Sequence, residues 1–492
     1  MNTFFKLILR LSFFIVLAIH VKGLAQQVRP LWISTGEYVS TAFSVETSQR
    51  FILGALECKI KDNGTLGDPF TDWGNIILST NKNLNIQDSV YLKSIDEWYI
   101  MLYQALILNN GNILMSGPAY NPDSNQLRLG LIWMDESLNI LHHSLVGITG
   151  KKIDPSGAIT FNQAGNIVTY GHIVEEYGQT PPSSQYFFME IAQNGDILRT
   201  LEQTLDFYAF YLWPIGANKY HMWSWQNTVI QLNENFGFES AFSLGWGSEF
   251  LNVRIKPYNL QSYFLLRDKM KFVFGHENPF FEAEVLHVDD QVNPLNTIII
   301  GFENENVRGA SLSSYQPGVL FIGGTRIPIA TSNGSSAVPN QIFIYKTDIS
   351  GQILQSRFYN TTGGISSGSL LATSDGGCLI PVTYYRDYPA QDVFYLKMDW
   401  EGNFLGLEDD LVNPSVKYSM FPIPAKSHFT LQSTSKLPTS ATIFSSSGAR
   451  VKNFLFELSC RVDVSDFKPG VYMLQLIRAD GYRESRKLLV TN

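Results

Sequence analysis

Phe343-Ile344-Tyr345-Lys346-Thr347-Asp348-Ile349-Ser350-Gly351-Gln352-Ile353-Leu354 is an apolar run, an acid, a tight turn holding a glycine, and the start of a second apolar run. An aspartate carboxylate accepts N–H groups of its own turn, and glycine supplies a left-handed residue. The stretch therefore predicts two antiparallel strands joined by a hairpin. Residues 394–405 and 187–198 repeat the pattern. Aligned on the turn residue, copies fall at Asn81, Asp135, Ala192, Asn233, Asp289, Asp348 and Asp399, with gaps of 41 to 59 residues. Between them recurs a second kind of strand, apolar and preceded by a Gly or Asn turn. It is clearest at 110–117, 164–171, 316–323 and 375–380, and weaker at 51–54, 219–222 and 263–266. A period near 50 with several short strands per unit is the pattern of a β-propeller blade. One small sheet cannot bury both of its faces alone, and radial stacking hides them while leaving only short edges. Seven copies predict seven blades, and the degenerate copies at 212–224 and 281–289 leave six or eight open.

Composition agrees with an all-β chain. Aromatic residues make up 13% of the 492 residues and charged ones only 16%, while Gly (38) and Pro (21) are frequent. Charge is uneven: residues 26–414 hold 22 Lys and Arg against 39 Asp and Glu, and residues 415–492 hold 11 against 5. The body is thus acidic, which argues against nucleic acid as a partner. Cys58, Cys378 and Cys460 have neither metal-ligand spacing nor the even count of a disulfide framework, and read as small buried filler.

The two ends speak of export. Residues 1–25 carry Lys6 and Arg10, an apolar run from Leu11 to Ile19, and Gly23-Leu24-Ala25 before Gln26, the pattern of a cleaved signal peptide. No later stretch approaches the roughly 20 apolar residues of a membrane helix, so no transmembrane segment is expected. After a turn-prone acidic strip at 406–414, residues 415–492 read as a small C-terminal β-sandwich. Its blocks are Phe421-Pro422-Ile423-Pro424-Ala425, a strand at 441–444 before Ser447-Gly448, and Lys468-Pro469-Gly470-Val471-Tyr472 before a basic-apolar terminus with Lys487. These blocks closely resemble the type A C-terminal sorting domain of the type IX secretion system of Bacteroidetes. Ile423 stands where that family usually has Asn. The resemblance implies Sec passage to the periplasm, export across the outer membrane, the secretion machinery as partner, and removal of the tag. The body's repeats also look like those of secreted propellers that carry this domain, a likeness built from turn chemistry that implies a fold and no activity.

No stretch of the body names a reaction. Gly364-Ile365-Ser366-Ser367-Gly368 matches the nucleophile-elbow spacing but leads into another strand rather than a helix. Thr373, Asp375 and Gly377 partly resemble the Asp-box of sialidase propellers, a turn device. His142-His143 would point to opposite sides of a strand, which is wrong for joint zinc ligation. Asp289-Asp290 and Glu408-Asp409-Asp410 are acidic enough to attract calcium but lack the alternating ligands of a calcium loop, so no cofactor is expected from a motif, and a calcium site assembled from distant blades stays open. The densest aromatic cluster is Tyr211, Trp213, Tyr220, Trp223 and Trp225. Two readings stand for it: filler between blades, or a ligand shelf in which Trp213, Trp223 and Trp225 stack on a sugar or a partner's anchor. The reading is of a non-catalytic binding propeller at the cell surface or released, with an unknown protein or glycan ligand. The alternatives are a glycan-directed hydrolase or lyase with carboxylates from separate blades, and a structural or adhesion component.

Overall fold

The computed structural model describes residues 30–404 and 418–491, except 69–70, 175–183, 208, 217–218, 225–226, 245–249, 260, 272–279, 301–304, 315–317, 329–338, 362, 386–388, 422–424, 434–438, 446–448 and 479–482. The chain forms two compact units, Met1–Leu407 and Glu408–Asn492. Among the described residues of the first unit, seven antiparallel blades follow one another along the chain, blades 2 to 6 as separate sheets and blades 7 and 1 merged into one sheet by a single parallel bridge between Tyr38 and Gln391. Blade 1 runs Tyr38–Glu46, Arg50–Cys58, Trp73–Asn81 and Ile86–Leu92; blade 3 runs Lys152–Phe161, Ile167–Val174, Ser184–Ile191 and Ile197–Leu205; the strands of blades 2, 4, 5 and 6 fall within 94–146, 209–243, 250–300 and 305–360. The first strands of the blades touch their neighbours in turn, and the last blade meets Tyr38–Glu46 again, so the ring closes.

Closure uses the N-terminus. In blade 7 the second and third strands, Cys378–Tyr385 and Gln391–Met398, are joined by Leu31–Ile33, which pairs with Val393–Tyr395 as the outermost strand. Trp32 lays its ring 4.6 Å from that of Phe394. Across the seam, Tyr395 Oη donates to Gly54 O at 3.1 Å. The Glu46 carboxylate accepts the N–H and the hydroxyl of Ser374, both at 2.7 Å, and Lys82 Nζ at 2.6 Å.

The hairpin read from Asp348 recurs at all seven turn positions. The N–H of the first residue bonds the carbonyl four residues on, and its own carbonyl accepts the N–H three residues on. Where the first residue is Asp or Asn, its side chain also accepts turn N–H groups, as Asp289 does from Gln291 and Asn293. The fourth residue is left-handed everywhere: Gly195, Gly351 and Gly402 in three blades, but Leu84, Leu138, Phe236 and Val292 in the others, at φ between 60° and 66°. Those four side chains are buried in the apolar seams. A left-handed non-Gly residue costs roughly 1–2 kcal/mol, and burying a large apolar side chain returns about 1.5–3. Burial therefore offsets the strain, and these four turns stay intact without glycine.

Cys58 and Cys378 are both free and buried. They lie on equivalent strands of adjacent blades but at opposite ends: Cys58 closes its strand, and Cys378 opens its own.

The second unit is a sandwich of two sheets, Tyr418–Phe421, His428–Ser433 and Ser459–Asp463 in one, and Thr439–Phe444, Arg450–Phe456, Gly470–Arg478 and Arg483–Val490 in the other. Phe429, Leu431, Ala441, Ile443, Leu474, Leu476 and Leu488 fill its core.

Candidate functional site

Antiparallel blades put two kinds of connection on opposite faces of the ring. One face carries the links from first to second and from third to fourth strands, which among the described residues are short hairpins such as 108–112 and 135–139. The other carries the links from second to third strands and from blade to blade; among the described ones, 122–125 and 147–151 are short, whereas fourteen residues separate Cys58 from Trp73. Variable loops on a rigid scaffold are where binding residues concentrate.

Between the faces runs the ring's axis, walled by the first strands. Each of them is interrupted in its middle. Register shifts fall at Thr41/Phe43, Pro155/Ile159, Phe210/Leu212, Leu251/Arg254 and Arg308/Ser311. In blades 2 and 7 the strand breaks outright, between Ile100 and Gln104 and between Ser367 and Leu371. A bulge leaves backbone groups unpaired and re-aims a side chain. Neighbouring blades take up the freed groups. Asn75 accepts Leu102 N–H at 2.7 Å and donates to Ile100 O at 2.8 Å. Gln104 brackets Ile159 at 2.8 and 2.9 Å, and Ser311 Oγ accepts Leu370 N–H at 2.9 Å. Gly117 faces the break in blade 2, and any Cβ there would lie 1.6 Å from Met101 O. The glycine ending several of the apolar strands is thus a packing requirement of the bulge.

On this wall Tyr103 of blade 2 lies near Asp154 of blade 3, and Tyr211 of blade 4 stands beside Tyr170 of blade 3. Tyr103 and Tyr211 are 43% and 45% exposed, and Asp154 is reached by solvent. Surrounding protein nevertheless raises the Asp154 carboxyl above its ordinary range, and burial followed by the charge of Asp154 raises the Tyr103 phenol. Solvent access combined with desolvation fits side chains lining a channel. Tyr211 is the bulge residue of blade 4 and is held at φ 52°, with its N–H taken by the Tyr170 hydroxyl. On the first strand of the neighbouring blade 5, burial lowers the Lys256 ammonium. His172, in register with Asp154 on the next strand, is pushed down to about 4 by burial and is neutral at pH 7.

The structure divides the aromatic cluster differently from the ligand-shelf reading. Trp213 and Trp223 are 3% and 4% exposed and pack with Tyr263, Leu265 and Val288 between blades 4 and 5. They offer no ring face to a ligand, so that reading is corrected for both; Trp225 lies outside the described residues. Among the described members of the cluster it is Tyr211 that reaches solvent, because the bulge at Phe210/Leu212 breaks the strand's alternation. Nothing in the local sequence marks Asp154 or Tyr103, since their proximity comes from ring packing.

Other motifs resolve into structure. Gly364–Ser367 is a first strand, and Ser366 Oγ accepts the Tyr385 hydroxyl at 3.0 Å. Asp375 caps its own turn through Gly377 N–H and also takes the ammonium of Lys397 at 2.7 Å, whose side chain is fully buried. His143 pairs with Asp96 at 2.7 Å, while His142 lies 5.0 Å from the Trp133 ring. No helix among the described residues is long and apolar enough to cross a membrane.

In the C-terminal unit the signature residues are staples. Ala425 is buried and exchanges 2.8 Å hydrogen bonds with Leu489 O and Thr491 N, tying the opening block to the last strand. After Pro469, Gly470 opens its strand opposite Val490, and Lys487 stands opposite Met473. Tyr472 donates to Lys468 O at 2.7 Å with its ring 5.1 Å from Phe467. Pro422, Pro424 and Gly448 lie outside the described residues. Residues 419–491 match the family model described as secretion system C-terminal sorting domain. This unit is a type IX sorting domain. The sorting domain directs the protein out of the cell, to its surface or beyond. No curated protein matches the sequence.

Among solved structures, the chain is similar to the β-propeller domain of the Trilobed protease from Pyrococcus furiosus, at 8% identity and TM-score 0.40, covering 75% of this chain and 96% of that one. It is similar to BamB from Moraxella catarrhalis at 9% identity and TM-score 0.30, covering 68% and 97%. A protein of unknown function from Bacteroides caccae aligns at 13% identity and TM-score 0.35, covering 58% and 90%. The ring itself rests on its own strand pairing.

Proposed function

We propose that the exported propeller is a binding protein that takes its ligand at the long-loop face and the adjoining channel wall. The observation that carries this is the asymmetry of the ring: the same five-residue turn after the third strand of every blade on one face, links of differing length on the other, around a wall where Tyr103, Asp154 and Tyr211 meet solvent. A strained left-handed tyrosine at a bulge is the kind of outlier that clusters at ligand sites. Two phenols and a carboxyl supply stacking faces and hydrogen bonds suited to a glycan or to a polar protein loop. The test is capture of soluble glycans and surface proteins by the mature chain. Tyr211→Ala and Asp154→Asn are expected to weaken binding tenfold or more, and unchanged capture by both variants refutes the reading.

A glycan hydrolase is the second reading, and it draws on the raised carboxyl of Asp154, the condition of a general acid. Turnover of a bound glycan that Asp154→Asn abolishes would establish it over simple binding.

A further inference from the structure

Outside the channel, a groove of about 610 Å³ runs along the outer seam between blades 2 and 3. Its walls include Arg128, Ser144, Thr149, Lys151 and Lys152, and it is bounded at one end by Gly195 and Ile197. Arg128 stands out. Its guanidinium lies 4.8 Å above the Trp98 ring, and its stem runs beside the backbone of Gly147. Among the described residues its guanidinium takes part in no hydrogen bond or ion pair, whereas Lys151 is held by Glu202.

An arginine held flat on an aromatic ring presents its N–H fork with little conformational freedom left to lose, and that fork matches a carboxylate or another planar oxyanion. The loop Gly147-Ile148-Thr149-Gly150 adds backbone amides and a hydroxyl along the same wall, with Gly150 at φ 75° turning the chain beneath them. Three cations meet here in a body that is acidic overall. Charges elsewhere on the ring are screened beyond roughly 8 Å at physiological salt, so the local cations set the sign in the groove.

We propose that this groove is a second binding site, for an anionic saccharide whose carboxylate or sulfate is taken by Arg128. Its hydroxyls meet Ser144, Thr149 and the loop amides, and Glu202 competes with the ligand for Lys151. The volume fits a short oligosaccharide rather than a folded partner, and the chain's export places the groove where such polymers occur. The site is independent of the channel reading.

The test measures binding of a galacturonate oligomer, a chondroitin sulfate oligomer, a neutral dextran oligomer and poly-glutamate to the full mature chain by calorimetry. At least one of the two anionic saccharides is expected to bind, and dextran is not; which of the two binds tells uronate from sulfate. Arg128→Gln should weaken that binding at least tenfold, Glu202→Gln should strengthen it severalfold, and Tyr211→Ala should leave it unchanged. Failure of both anionic saccharides to bind overturns the proposal. So does equal binding by Arg128→Gln, or a preference for poly-glutamate over both. Gain of affinity in Glu202→Gln keeps the test decisive if Arg128→Gln fails to fold.

Discussion

Removing the Glu46 carboxylate should open the ring at its closing seam. Glu46 ends the first strand of blade 1, and Ser374 lies in the first hairpin of blade 7, 328 residues later. The carboxylate is only 8% exposed and holds three donors: Ser374 N–H at 2.7 Å, Ser374 Oγ at 2.7 Å and Lys82 Nζ at 2.6 Å. A hydrogen bond to a charged group contributes about 1.5–3 kcal/mol. The Lys82 pair is discounted because its ammonium is 31% exposed and Thr47 O, at 2.7 Å, gives it a second acceptor. Counting the Ser374 bonds and their imperfect additivity, Glu46→Ala should cost about 2–4 kcal/mol, and Glu46→Gln, which keeps one acceptor, about 1–2. The comparison is Trp133→Phe, which removes the 2.8 Å bond to Gln193 O between blades 2 and 3. That seam is backed by chain continuity, so its loss should cost about 1 kcal/mol. The assay is urea unfolding of residues 26–407 together with limited proteolysis mapped by mass. Glu46→Ala should lower the midpoint well beyond Trp133→Phe and expose cleavage first in blades 1 and 7. A double mutant with Ser374→Ala should cost less than the two single changes together, because both act on one clasp. An unchanged midpoint in Glu46→Ala, or first cleavage in the central blades, would refute the reasoning.

Leu138→Gly should destabilise the ring by about 1 kcal/mol, because lost seam burial exceeds the relief at φ 64°; a stabilised variant in thermal unfolding would reverse the argument. The converse change, Gly351→Leu, should cost more, since a Cβ there would lie 2.7 Å from Ile298 at φ 91°. Burial pushes His221 down to about 4, so it is neutral in the fold and charged below about pH 6.5 when unfolded. Its contribution, on the order of 3 kcal/mol, is present above pH 6.5 and is lost as pH falls toward 4. His221→Gln should flatten the stability profile over that window, and a profile identical to wild type counts against it. Deleting residues 415–492 should leave the ring folded but hold it in the periplasm, as fractionation would show. Removing only residues 489–492 should have the same effect, because Leu489 O and Thr491 N are what anchor Ala425; normal delivery of the shorter chain would show that the staple is dispensable.

The sequence by itself determined whatever local chemistry encodes. The seven hairpins were legible because Asp348, Asp399 and their counterparts cap their own turns, and the strands beside them were legible from apolar runs. The sorting domain was legible because Pro469, Gly470 and Tyr472 sit at fixed spacing around one strand start. Seven blades followed from the period, even where Phe236 and Val292 replaced the turn glycine. Only the tertiary structure showed that those residues plug the seams, that Leu31–Ile33 completes the last blade, and that Glu46 clasps Ser374. The channel wall was illegible for the same reason. Tyr103, Asp154 and Tyr211 belong to three blades, and a one-residue bulge, invisible to a period-two reading, turned Tyr211 outward while Trp213 and Trp223 went in. Local turns are fixed by bonds within a few residues, whereas a site built across blades depends on how sheets stack, and no single strand carries that information.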